Sequence, residues 1–447
     1  MTDALRAAVQ RHLPQARVDL EALARIPSIA FPGFDHSHVQ ASAEKVVELC
    51  RSVGITDVRI VSAGEGQPAV IAKIPAPEGA PTVLLYAHHD VQPEGDIEAW
   101  HTPPFEPTEV DGRLYGRGCA DDKAGIVAHL TAIRAFDGRP PVGVTLFIEG
   151  EEEFGSASLP DLLAEYKEDL RSDVIVIADS TSWEIGTPAL TTSLRGLVDC
   201  YIEVSTLDHA VHSGMWGGVV PDALTALSKL LATLHDADGS VAVKGLHDAG
   251  PTPVDYPHDR FRTESGVLDG VQLIGRGSIT ERLWHQPAIA VTGIDCPSVR
   301  NASNTLVPSV RAKVSMRLAP GQDVDAAMDL LVAHLESHAP WGAHVAVTRG
   351  EKGEPCVVGT DGPAYEAARA AHSEAWDGAE CVNLGVGGSI PFIAEFQEAF
   401  PAAEVLVTGV EDPDARAHGP NESLHLGEFA KVCLAETLLL ARLGEQA

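Results

Sequence analysis

Leu84-Leu85-Tyr86-Ala87-His88-His89-Asp90-Val91 begins as an apolar run and stops on two histidines and an aspartate. A buried strand gains nothing by ending that way, whereas a strand that delivers ligands does. Open α/β sheets place their sites where strands leave the sheet. Alternate residues of an extended chain point the same way, so His88 and Asp90 act on one side and His89 on the other. Neutral imidazole is a good zinc ligand, and a nearby carboxylate fixes its tautomer and raises its basicity. The stretch reads as a strand end with His88 on a metal, Asp90 orienting it and His89 structural.

Around this strand the chain alternates strands with helices. Apolar spacing predicts a helix over residues 4–26, interrupted by Pro14, and another over 39–53. Strands follow at 57–61, 69–74 and 82–87, then a helix at 124–136, a strand at 144–148, a helix at 159–166 and a strand at 174–178. This alternation predicts an α/β fold with a mainly parallel mixed sheet covered by helices. After about Leu194 the texture changes: alternating strands at 198–204, 288–292 and 310–318 accompany helices at 219–234 and 324–337. They read as a small inserted α+β domain. The α/β texture returns with a helix at 365–376, a strand at 403–407 and a final helix at 426–443. The expected division is therefore a discontinuous catalytic domain, 1–191 with 354–447, interrupted by 192–353.

Four further motifs carry metal-competent side chains. Gly116-Arg117-Gly118-Cys119-Ala120-Asp121-Asp122-Lys123 places two aspartates at a helix start after a glycine turn. Either aspartate there also gains from the helix dipole as a cap, and the third glycine of a dinucleotide loop is missing. Glu149-Gly150-Glu151-Glu152-Glu153 follows an apolar strand directly, and four carboxylates in five positions repel one another unless cations or water relieve them. Asp179 ends the strand Val174-Ile175-Val176-Ile177-Ala178, repeating the logic of His88, and Ala417-His418-Gly419-Pro420-Asn421-Glu422 lies near the C-terminus.

Composition narrows the partners. Acidic residues outnumber basic ones 64 to 32, a formal charge of -32, which argues against nucleic acid and anionic membranes. The N-terminal residues lack the apolar core of a signal peptide, and no stretch approaches the roughly 20 uncharged residues of a membrane span. Seven scattered cysteines without a CxxC pair read as free thiols of a cytoplasmic protein.

Taken together and in this order, the five motifs resemble the co-catalytic metallopeptidases that include carnosinase-type cytosolic dipeptidases, acetylornithine deacetylase, succinyl-diaminopimelate desuccinylase, aminoacylase and glutamate carboxypeptidase. The resemblance spans about Leu84 to Glu422. It implies two divalent metal ions about 3.5–4 Å apart, with zinc the best suited and manganese or cobalt as alternatives. His88 and Asp179 would complete one metal site, Glu153 and His418 the other, and Asp121 rather than Asp122 would bridge them, followed by a cis peptide. Glu152 would be the general base that forms the attacking hydroxide, and Asp90 would orient His88. The inserted segment would be a dimerisation and lid domain of a homodimer, from which His212, in His212-Ser213-Gly214-Met215-Trp216-Gly217-Gly218, reaches the partner protomer's active site. Arg317, Thr305, Gly388 and Ser389 match positions that contact the substrate. Many dipeptidase relatives carry an acid just ahead of the turn Gly387-Gly388-Ser389-Ile390-Pro391, whereas here Gly385-Val386 precedes it.

Within the family the HSGMWGG segment, the Trp100 to Phe105 loop and GGSIP resemble the dipeptidase branch. The implied function is hydrolysis of dipeptides or short peptides with a free C-terminal carboxylate. An N-acyl amino acid amidohydrolase with the same metal chemistry is the alternative, and a catalytically silent metal-binding dimer a more remote one.

Overall fold

The structure, a computed structural model, describes residues 2–388 and 391–446. It divides into two compact units: Met1–Thr192 with Val358–Leu384 and Glu395–Ala447, and Ser193–Val357 with Gly385–Ala394.

The first unit is built on a mixed sheet. Its strands lie in the order Asp57–Val61, Ala69–Ile74, Gly143–Glu149, Thr82–His88, Val174–Ile177, Glu404–Val407 and Ala189–Leu194. The four from Gly143–Glu149 to Glu404–Val407 are mutually parallel, and antiparallel strands flank them. Both faces of Thr82–His88 are buried, which is why it reads as an unbroken apolar run. Val83, Leu85 and Ala87 join Leu20, Ile126, Ile133, Leu434 and Leu438 in one core. Tyr86, on the opposite face, packs with Phe147 and Phe396 at ring separations of 5.9 and 5.4 Å.

The first helix runs unbroken over Thr2–Ala24, through Pro14. Proline removes one backbone donor, but both Pro14 and Gln10, whose carbonyl loses its partner, are exposed to water. In the helix Pro363–Ala375, His372 is buried, its Nδ1 lies 2.9 Å from the Ala368 carbonyl oxygen, and its ring stacks on Trp376. Burial pushes its pKa down to about 4. The folded state therefore holds this imidazole neutral, and the stability it contributes is complete above the unfolded value near 6.5 and is lost as pH falls toward 4. A shift of that size corresponds to roughly 3 kcal/mol. His372→Phe is expected to flatten the acid limb by about that amount in urea titrations between pH 7 and 4.5; parallel curves for variant and wild type would refute it.

The second unit is a four-stranded antiparallel sheet in the order Ala288–Asp295, Ser309–Leu318, Gly196–Ser205, His344–Gly353. One face is apolar: Val198, Cys200, Ile202 and Val204 pack with Val314 and Met316 against Leu227, Leu230 and Leu331 of two helices. Those helices are Ala223–Ala232 and Val324–Ser337. The first starts later than its apolar spacing implied, because Pro221 precedes Asp222, whose carboxylate caps the Thr225 N–H. Among the described residues no helix is long and apolar enough to cross a membrane, and all seven cysteines are free.

Candidate metal centre

Parallel register brings the candidate ligands to one edge of the first unit's sheet. His88 stands opposite Glu149, and Tyr86 opposite Ile177, so the residues following Ile177 and Glu149 emerge beside His88. Asp179 and the short turn Glu152–Phe154 lie on those continuations.

Asp121 is the hub of the arrangement. Its Oδ1 lies 3.0 Å from His88 Nε2, and its Oδ2 lies 3.0 Å from His418 Nε2. His418 Nε2 is also 3.1 Å from Glu153 Oε2. On the other side, His88 Nε2 is 3.8 Å from Glu152 Oε2 and 4.0 Å from Asp179 Oδ1. Two groups have donor atoms all within 4.8 Å of one another: His88, Glu152 and Asp179, and His88, Asp121 and Glu153.

The electrostatics are those of crowded carboxylates. Burial and then Asp121 push Glu153 up to about 7, and burial lifts Asp179 to about 6. Burial and Asp179 raise Glu152 well above its ordinary range. Burial opposes ionisation of Asp121 too, but hydrogen bonds from His418 and His88 prevail and hold its pKa low. Asp121 and Glu153 lift His418 to about 11. Acids this close cannot all ionise without positive charge among them. Two imidazole nitrogens and several carboxylate oxygens form a donor set that fits divalent zinc, manganese or cobalt.

Neighbouring residues hold these groups in place. Asp90 lies beside His88, its Oδ1 3.4 Å from Nδ1. It also accepts the backbone N–H groups of Glu152 and Glu153, each at 3.1 Å. The same carboxylate thus orients the histidine and anchors the acidic turn. Gln92 donates to Glu153 from its backbone at 3.1 Å and its side chain at 2.7 Å. His89 points away, its Nε2 2.8 Å from the Pro68 carbonyl oxygen, and burial lowers its pKa to about 4. The peptide Asp121-Asp122 is cis. Asp122 accepts the His88 N–H at 3.3 Å and sits so close to Gly125 that a Cβ there would lie 2.4 Å from its Oδ1.

Glu422 is the structural partner that sequence reasoning missed. Fully buried, it accepts the N–H groups of Ala120 and Asp121 at 3.0 and 3.1 Å and pairs with Arg117 Nη1 at 2.6 Å. Arg117 in turn donates to the His418 carbonyl at 3.2 Å. One ion pair therefore locks the Gly-Arg-Gly turn to the His418 loop. Its signal was the glutamate closing the 417–422 motif. Breaking a buried pair by removing one partner costs on the order of 3–5 kcal/mol. Arg117→Met is expected to lose that much in urea unfolding of the metal-free protein, and a loss below about 1 kcal/mol would contradict this account.

The remaining predicted residues lie in the second unit. His212 and Thr305 stand directly opposite each other in a short antiparallel ladder, and His212 Nδ1 accepts the Gly214 N–H at 3.0 Å. Arg317 is half-buried in Ser309–Leu318, and burial lowers its pKa. Gly388 follows the strand Val382–Val386; Ser389 lies outside the described residues.

The profile of peptidase family M20/M25/M40 matches residues 84–442. The cysteinylglycine-S-conjugate dipeptidase of Corynebacterium striatum is 34% identical over 418 residues, covering 92% of each chain. The human beta-Ala-His dipeptidase is 30% identical over 383 residues, covering 80% of this chain and 74% of that one. Among solved structures, the di-peptidase Dug1p of Saccharomyces cerevisiae superposes with a TM-score of 0.82 at 23% identity, covering 100% and 99% of the two chains. Human carnosine dipeptidase 1 gives 0.81 at 24% identity, covering 99% of each. A profile match over most of the chain and a relative alike over nearly its whole length agree with the converging histidines and carboxylates: the chain belongs to peptidase family M20/M25/M40 and is a hydrolase of peptide bonds.

Proposed function

We propose that the protein is a metal-dependent dipeptidase that hydrolyses dipeptides or short peptides with a free C-terminal carboxylate. The observation that carries this reading is Asp121, whose two oxygens face two different histidines at 3.0 Å. The names of the Corynebacterium and human relatives support the substrate class. In this reading His88 and Asp179 hold one divalent cation, Glu153 and His418 hold a second, and Asp121 serves both. Zinc suits the donors best, with manganese or cobalt as alternatives. When bound, the cations neutralise the crowded carboxylates and supply the Lewis acidity that acidifies water and stabilises negative charge on the scissile carbonyl.

The chain's own residues do the rest. Glu152, tethered through its N–H to Asp90, takes the proton from water and delivers it to the leaving amine. Asp90 keeps His88 in a fixed orientation. The Arg317 guanidinium forks onto the substrate's carboxylate, Gly388 and Ser389 offer backbone N–H groups to the same anion, and Thr305 lines its site. The segment 192–353 acts as lid and dimerisation domain of a cytoplasmic homodimer. From it His212 reaches the other protomer's active site and donates to the developing oxyanion.

Screening a dipeptide library with zinc- and manganese-loaded protein in parallel tests this reading. Dipeptides with a free α-amino group are expected to turn over at least about 10-fold faster in kcat/KM than their N-acetylated forms. The reverse preference would make the protein an N-acyl amino acid amidohydrolase, and no turnover of either would sink both readings.

A further inference from the structure

Glu411 is a carboxylate at this centre that the hydrolytic scheme leaves unused. The chain over 408–411 runs alongside the residues around Asp179. The Thr408 N–H donates to the Ile177 carbonyl at 2.8 Å, and the Glu411 N–H to the Ser180 carbonyl at 3.4 Å. The Ser182 N–H and hydroxyl return to the Glu411 carbonyl at 2.9 and 3.1 Å, and Thr181 and Glu411 form a parallel bridge. The two segments touch at Gly409, where a Cβ would lie 1.5 Å from the Ser180 oxygen. Glu411 is thus fixed by its backbone against residues 180–182, directly after Asp179.

Its side chain is in a different position from that of its neighbour. Asp412 is buried and takes a two-pronged pair from Arg113 at 3.1 and 2.9 Å. Glu411 is half-buried, and among the described residues neither a hydrogen bond nor an ion pair reaches its carboxylate. It lies in the negative field of Asp121, Asp179 and Glu422, offset in part by His418. It does not belong to either group of converging donor atoms around His88. A carboxylate so placed calls for a positive partner from outside the chain.

A dipeptide brings such a partner to this place. Its α-nitrogen is two bonds, about 2.5 Å, from the carbonyl carbon that is attacked. When that carbon is at the hydrolytic centre, the ammonium must lie beside it. We propose that the Glu411 carboxylate, held against the Asp179 segment, receives the α-ammonium of the substrate and so selects peptides with a free amino terminus. This rests on the dipeptidase reading and names the residue that sets its specificity.

The test compares Ala-Gly with N-acetyl-Ala-Gly on the full-length, zinc-loaded protein. Glu411→Gln is expected to raise KM for Ala-Gly roughly 10- to 100-fold, the loss typical of a hydrogen bond to a charged group, with kcat within a few-fold. It should shrink the preference for Ala-Gly over its acetylated form by the same factor, leave bound zinc unchanged, and be partly reversed in Glu411→Asp. Binding of both ligands measured by calorimetry in a Glu152→Ala background separates this proposal from the catalytic one. Glu411-dependent preference for Ala-Gly there supports it even if the wild type hydrolyses neither. An unchanged ratio, absent binding of Ala-Gly, or loss of zinc in Glu411→Gln would overturn it.

Discussion

Replacing Glu152 by alanine is expected to lower kcat by roughly 100- to 10,000-fold, the range for a positioned proton-transfer group, while bound metal is retained. The reason is geometric. Glu152 Oε2 approaches His88 Nε2 at 3.8 Å, and its backbone N–H is tied to Asp90. Its carboxylate therefore faces the ligands without being the link between them. Truncation removes the proton carrier and leaves Asp121, Glu153, His418, His88 and Asp179 in place. Kinetics on a cleaved dipeptide, with elemental analysis of the same preparation, checks both halves. Full activity in Glu152→Ala would end the proposed mechanism. Loss of metal together with activity would instead make Glu152 a ligand, as its convergence with His88 and Asp179 permits.

Asp121→Asn is expected to act on metal first and on turnover as a consequence. Each oxygen of Asp121 serves a different histidine, so an amide, which lacks the charge and presents only one acceptor oxygen, weakens both halves at once. Loss of a partner behind a ligand typically costs 10- to 100-fold in affinity. Loss of a shared ligand should exceed about 100-fold for both cations. The metal-dependent part of thermal stability, which grows with the ratio of free metal to dissociation constant, should vanish with it. Equilibrium dialysis and calorimetric melts with and without chelator measure this. Retention of two tightly bound ions per chain would remove Asp121 from the bridging position.

What could be read from the sequence depended on how local the signal was. His88 and Asp179 stood out because an apolar strand ending in a metal-competent residue needs only adjacent residues to recognise it. The central strands were legible for the same reason, being apolar on both faces. The edge strand His344–Gly353 was not, because most of its residues are exposed or half-buried and give no apolar run. Pro14 misled because proline interrupts a helix in isolation, whereas here the exposure of Pro14 and of Gln10 allows water to satisfy the freed carbonyl. Asp90 was half understood: its link to His88 is two residues long, but its hold on Glu152 and Glu153 crosses 62 and 63 positions. Glu422 and Glu411 escaped because their meaning lies in distant neighbours, a buried Arg117 in one case and, among the described residues, the lack of any such arginine in the other.

The Glu422 bond to the Ala120 N–H spans 302 residues. Contacts this far apart form late, after the loop between them has been closed. During synthesis from the N-terminus, the residues around His88, Asp121 and Asp179 leave the ribosome long before either His418 or the glutamate that braces them. Second histidine and brace then arrive within five residues of each other. In the proposed two-cation reading, the site that His418 completes is therefore assembled after the one that His88 and Asp179 share, and its brace is made in the same short stretch of chain.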